Sequence, residues 1–152
     1  MRPMRISAKE DYALRAALEL AVAGGGPLTR EQLAQAQEIP TAFLQNILSE
    51  LRHAGLVETQ RGREGGFRLA RPPDQITVAD VVRAVSGPLA TVRGVRPPAL
   101  DYNDSSAPLR VVWVALRANI RAVLEGVTLA DLAANRLPPV VMRAAQNPGA
   151  WD

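Results

Sequence analysis

The sequence predicts a mainly α-helical fold with one small β-hairpin and a long helix toward the C-terminus. Three observations predict it. Four segments open with Ser or Thr followed three residues later by an acid or amide: Ser7/Glu10, Thr29/Gln32, Thr77/Asp80 and Thr128/Asp131. That spacing is the reciprocal capping pair of a helix start. Apolar residues then recur at helical intervals. The pattern breaks at Arg61-Gly62-Arg63-Glu64-Gly65-Gly66, a glycine-rich link between two extended stretches.

The first helix spans Ser7 to Val22, with Ala13, Leu14, Ala17, Leu18 and Leu20 on its apolar side, and Gly24-Gly25-Gly26-Pro27 stops it. A second, short helix covers Thr29 to Ala36, with Leu28 and Leu33 placed as a hydrophobic staple. After a brief turn the third helix begins at Pro40, where a missing N–H costs nothing, and runs to Ala54, with Gly55 closing it. Leu44, Ile47, Leu48 and Leu51 face inward; Ala42, Gln45, Asn46 and Ser49 share the opposite face. Leu56–Gln60 and Phe67–Ala70 are the hairpin strands, and Pro72-Pro73 closes the unit. Thr77 to Ser86 is a fourth helix, stapled by Ile76 and Val81. Residues 92–107 lack periodicity and read as a loop. Pro108 to Glu125 is the longest helix, with Leu109, Val112, Leu116, Ile120 and Val123 on one stripe and Val111, Trp113 and Val114 widening it. An arc that wide predicts burial against more than its own domain. Thr128 to Ala134 is a last short helix, and a Pro- and Ala-rich tail follows that is expected to be flexible. There is no internal repeat.

With 152 residues and 47% hydrophobic content, the chain suits one domain plus a dimerisation appendage. Aromatics are only 4%, so the core must rest on Leu, Val, Ile and Ala. A net charge of +3 is compatible with nucleic acid without arguing for it, so any phosphate-binding surface must come from local clustering. The absence of cysteine excludes disulfides, thiolate nucleophiles and cysteine-ligated metal. No apolar run approaches the ~20 residues of a membrane span, and no apolar signal core follows the N-terminal arginines, so a cytoplasmic protein is expected.

Helix, short turn, helix and basic glycine-tipped hairpin is the order of a winged helix-turn-helix. The major groove of B-DNA admits one helix, and amide side chains pair bidentately with adenine. Gln45 and Asn46 on the third helix fit that role, with Thr41 and Ala42 beside them and Arg52 on the turn after Ser49. Arg61 and Arg63, on a backbone made pliable by Gly62 and Gly65, suit a minor groove or phosphates. Arg5, Ser7 and Lys9 offer cations and free N–H groups at the start of the first helix. Each part alone has a plain alternative: exposed amides on any helix, an ordinary solvated hairpin, a solvated lysine. His53, the single histidine, has no acid partner in view. No nucleophile motif, phosphate loop or metal triad is present, so no catalytic residue and no metal ligand is assigned.

The segment from Met4 to Leu14, the stretch FLQNILSELRHAGLVETQRGREGGFRLARPPDQITVADVVRAVSGP and the stretch LEGVTLADL together resemble the Rrf family of bacterial winged helix-turn-helix transcriptional regulators (IscR/NsrR/CymR-like) across residues 4–134. The resemblance implies base contacts at Thr41, Ala42, Gln45 and Asn46. It implies a wing at Gln60–Phe67 with Arg61 in the minor groove, and a phosphate clamp at Ser7, Lys9 and Tyr12. Tyr12 reads equally well as a core residue. It also implies a homodimer through the long helix, with Leu109, Val112, Trp113, Leu116, Ile120 and Val123 at the interface, and hence a pseudo-palindromic operator. Trp113 has a second reading, as the wall of a ligand pocket.

The chain departs from cluster-binding relatives: a cysteine position aligns with Ala107 and a histidine position with Arg110. It therefore resembles a member lacking the iron–sulfur cysteines, and no cofactor is expected. The loop oxygens, Asp101 and Asp104 among them, read as solvated rather than as a cation site. The expected division is a DNA-binding domain at 1–73, a connecting helix at 74–91, a sensor-position loop at 92–107, a dimerisation helix with the short terminal helix at 108–134, and a flexible tail at 135–152. The functional expectation is a sequence-specific regulator, a repressor, with duplex DNA and a second copy as partners. A small-molecule or protein effector is left open, and membrane is excluded. The alternative is a protein-interaction or ligand-sensing module of the same fold that has lost operator binding.

Overall fold

The computed structural model describes residues 5–63 and 65–152. Met4, at the head of the family-like segment, and Glu64, in the hairpin tip, lie outside the described residues. The chain forms helices α1 (Ala8–Val22), α2 (Arg30–Gln37) and α3 (Thr41–His53), strands β1 (Val57–Gln60) and β2 (Gly66–Leu69), then α4 (Val78–Ser86), α5 (Pro108–Leu124), α6 (Leu129–Ala133) and α7 (Pro139–Ala145). Short 3-10 turns cover Pro73–Gln75, Pro97–Ala99 and Pro148–Ala150.

All four capping boxes form, each with both reciprocal hydrogen bonds, and they start α1, α2, α4 and α6. Such caps satisfy backbone donors that have no partner within the helix. The turn from α2 to α3 is made by Glu38 in the left-handed region (φ 53°), after which the buried Ile39 anchors the chain and Pro40 opens α3. The strands pair antiparallel, with Val57 opposite Leu69 and Glu58 opposite Arg68.

Helix α1 is the centre of the molecule. Its buried Ala13, Ala16, Ala17 and Leu20 meet Leu33 of α2, Leu44, Ile47, Leu48 and Leu51 of α3, and Val81 and Val85 of α4. Leu129 of α6 is fully enclosed in the same core. Two capping boxes also join each other there. Thr77 and Thr128 form an antiparallel bridge, Val78 N donating to Val127 O and Leu129 N to Ile76 O, both at 2.9 Å. The core therefore runs past Pro73 and takes in α4 and α6, so the expected edge of the DNA-binding unit at residue 73 is not an edge of the core.

Helix α5 has no buried residue along its 17 positions. Its apolar stripe divides in two. Trp113, Leu116 and Ile120 are half-buried against the chain's own loop, where with Val92 and Pro97 they line a mostly apolar cavity of about 300 Å³, and Trp113 Nε1 donates to the Tyr102 hydroxyl at 3.1 Å. Leu109, Val111 and Val112 are exposed by 43%, 66% and 54%. The tail contains a helix where none was expected. Pro139 occupies the first turn of α7, which packs on α5 with Val140 beside Gly126; a proline there presets the helical φ and loses no hydrogen bond.

Candidate nucleic-acid interface

The outer face of α3 is open. Thr41, Ala42, Gln45, Asn46 and Ser49 are all exposed, opposite the buried Leu44–Leu51 face. Gln45 is oriented, not free: its Oε1 accepts from Arg30 Nη1 of α2 at 3.2 Å. Arg30 is a residue the sequence reading missed. Phe43, 55% exposed at the start of α3, was missed as well. Its ring meets Tyr12 at a centroid distance of 6.0 Å, and the Arg15 guanidinium lies 4.8 Å over Tyr12. Tyr12 is half-buried and packs on the core, which favours the core reading of this residue.

Lys9, expected as a phosphate contact, is ion-paired in the DNA-free chain. Its Nζ lies 2.8 Å from Glu50 Oε1 of α3. A carboxylate within reach of an ammonium at the surface captures it, although weakly enough for exchange with phosphate. The pair ties the start of α1 to α3. The Ser7 hydroxyl oxygen caps α1 by accepting from Glu10 N at 3.1 Å, which leaves its O–H available as a donor. Arg5 is exposed ahead of it, and Arg52 is exposed on α3. His53 closes on its own helix, Nδ1 lying 2.7 Å from Ser49 O.

The wing projects beside α3, with Arg61 and Arg63 exposed at its tip and Gly62 at a φ of 111° that favours glycine. Gly65 N donates to Gly62 O at 3.0 Å to close the turn. The paired glycines have a steric cause: a Cβ on Gly65 would meet Gln60 O at 2.3 Å, and one on Gly66 would meet Leu28 O at 2.5 Å. Leu28 pairs with Phe67 through two hydrogen bonds of 2.9 and 2.7 Å, so the wing is welded to the start of the helix-turn-helix. The base of the arginine-bearing wing is thus tied to the segment that leads into α2.

A recognition helix open along one face, a short left-handed turn behind it and a rigidly based basic wing define a winged helix-turn-helix protein of the DNA-binding regulator class. The profile of the Rrf2 family, described as an iron-dependent transcriptional regulator, matches residues 6–135. A Mycobacterium tuberculosis H37Rv protein named as an HTH-type transcriptional regulator is 48% identical over 145 residues, covering 95% of this chain and 90% of its own. The structure of CymR, the global cysteine regulator of B. subtilis, superposes with a TM-score of 0.75 at 34% identity, over 88% of this chain and 98% of that one. IscR of T. potens gives 0.70 at 30% identity, over 87% and 88%. The chain belongs to the Rrf2 family of DNA-binding transcription regulators, and it is not an enzyme.

The residues present do not fit the iron group that the family description implies. The chain has no cysteine, and iron–sulfur clusters are held chiefly by thiolates. Among the described residues no three His, Cys, Asp or Glu side chains gather as a metal site. Asp101 and Asp104 are exposed in the loop, Ala107 precedes α5 and Arg110 is exposed on it. No described helix is long and apolar enough to cross a membrane.

Proposed function

We propose that two copies of this chain bind a pseudo-palindromic operator in the cytoplasm and repress transcription from it, without an iron–sulfur cluster. The observation that carries the reading is the exposed α3 face, Thr41, Ala42, Gln45 and Asn46, set beside Arg61 and Arg63 of a wing whose base is fixed to Leu28. In this reading Gln45 and Asn46 meet base edges and Ala42 a thymine methyl. Arg61 enters the minor groove, while Arg63, Arg52, Arg5 and the Ser7 hydroxyl hold phosphates. Lys9 positions α3 through Glu50. Occlusion of the promoter is the simplest action of a small protein seated on an operator.

The dimer is supported by α5, a long helix whose Leu109, Val111 and Val112 stand in solvent. A contiguous apolar face of that kind marks an interaction surface. A second copy covers it in an isologous contact, with the half-buried Trp113, Leu116, Ile120 and Val123 at its margin. The test is duplex binding across a salt series. Affinity falls with a log–log slope of about −0.9 for each phosphate neutralised, so several contacts from each protomer give a steep decline. A flat salt dependence, or no binding at low salt, contradicts the proposal and favours the interaction-module alternative.

A further inference from the structure

Away from α3 and the wing, four arginines from three elements surround one open cavity of about 510 Å³. Arg83 comes from α4, Arg96 from the segment before the Pro97–Ala99 turn, and Arg117 and Arg121 from successive turns of α5. Like charges four residues apart on a helix disfavour it; Arg121 is offset by Glu125 one turn on, but Arg117 has no such partner among the described residues.

One carboxylate, Glu125, offsets them. It accepts from Arg83 and, at 2.8 Å, from Arg121 Nε. Hydrogen bonds from Arg121 and then Arg83 hold its pKa down at about 2, so it is fully ionised near neutrality and committed to those two guanidiniums. Arg96 and Arg117 have no ion-pair partner among the described residues, and Arg117 Nε is sealed from solvent without a hydrogen-bond partner. A buried donor left unmade costs free energy until an acceptor reaches it. Four guanidiniums against one carboxylate leave three positive charges facing a cavity in the size range of small-ligand sites.

We propose that this cavity binds a small multivalent anion, one carrying a phosphoryl group or several carboxylates. The planar forks of Arg96 and Arg117 offer it bidentate donors, and Arg83 and Arg121, which also line the cavity, add field that Glu125 offsets only in part. No residue of α3 or the wing lines the cavity, which separates it from the groove-reading face. Gly87, Pro88 and Leu89 form its rim and also border the neighbouring cleft that holds Arg5 and Glu10. Ser86 Oγ donates to Glu10 Oε1 at 2.8 Å. An anion that draws this rim toward α5 thereby acts on the start of α1. That effect on DNA affinity rests on the operator reading given above; the anion site itself does not.

The test is calorimetric titration of the full DNA-free chain, in low-chloride buffer, with inorganic pyrophosphate and, separately, with citrate. The expected result is saturable binding of one anion per chain. The Arg96→Gln/Arg117→Gln double variant, checked as folded by circular dichroism, loses about tenfold or more in affinity, the size of one lost charge-assisted hydrogen bond. Glu125→Gln, which removes the competing negative charge, binds more tightly. Absence of saturation, equal affinity in the double variant, or weaker binding by Glu125→Gln overturns the site. So does a double variant that binds anions normally but no longer self-associates or loses salt dependence on duplex DNA, because the cluster then serves a partner carboxylate or DNA phosphates. Anion binding by a wild-type chain that ignores every duplex supports the site and sinks the operator reading.

Discussion

Leu129→Ala tests where the DNA-binding unit ends. Leu129 is 0% exposed and sits in α6, beyond the long helix, yet it belongs to the core built on Ala13, Ala16 and Ala17 of α1. The substitution deletes three buried carbons, which at ~0.8 kcal/mol each in transfer alone amounts to about 2.4 kcal/mol. The cavity left behind raises the total toward the upper part of the roughly 2–5 kcal/mol range for Leu→Ala. Neighbouring backbone is pinned by the Thr77–Thr128 bridge, so collapse around the gap is limited. Urea unfolding monitored by circular dichroism reads the loss, at fixed protein concentration because self-association would shift the midpoint. The same variant should lose operator affinity at temperatures where it is partly unfolded. A loss under about 1 kcal/mol, below any value typical of a buried leucine, or a separate unfolding step for α6, would refute the single core described here.

Other substitutions probe the interface and the ion pairs. Gly66→Ala brings a Cβ to 2.5 Å from Leu28 O and should cost ~1–3 kcal/mol of stability, as forced overpacking does; an unchanged denaturation midpoint contradicts the welded wing. Glu125 has a native pKa of about 2 against an ordinary 4.5, so its contribution is full above pH 4.5 and is lost as pH falls toward 2. Thermal melts from pH 6 to 2 should show a shallower acid decline in Glu125→Gln than in the wild type, and identical declines contradict the pairing. Arg61→Ala should weaken duplex binding most at A/T-rich positions if the side chain enters a narrow minor groove, which competition binding with A/T- and G/C-rich duplexes would read. Gln45→Ala should relax discrimination at one base pair by ~1–3 kcal/mol, and an unaltered selected motif removes Gln45 from readout.

Local chemistry was legible in the sequence, and contacts between distant segments were not. The four capping boxes set helix starts within one residue, because each cap depends only on a residue and its third neighbour. The open face of α3 followed from spacing alone. The Lys9–Glu50 pair spans 41 residues and the Arg30–Gln45 contact 15, so neither leaves a periodic trace. Phe43 carried a signal that went unused: a large apolar residue outside the buried stripe of an amphipathic helix. The repeated Ile76-Thr77 and Val127-Thr128 starts look like two independent caps in the sequence, although the two capping threonines also bridge each other. Helix α7 was hidden by Pro138-Pro139, which reads as a break until the second proline is recognised as the first turn of a helix. The inward turn of Trp113 depends on Tyr102 and Pro97 in a loop without periodicity.

The central claim is that α3 and the wing read a duplex as a symmetric pair. Selection of bound duplexes from a random pool by the purified protein, followed by sequencing, measures it directly. The account predicts an enriched motif with two-fold symmetry and half-sites about one helical turn, or a multiple of it, apart. An unsymmetric motif would contradict the dimer, and a pool that stays random would contradict DNA reading altogether.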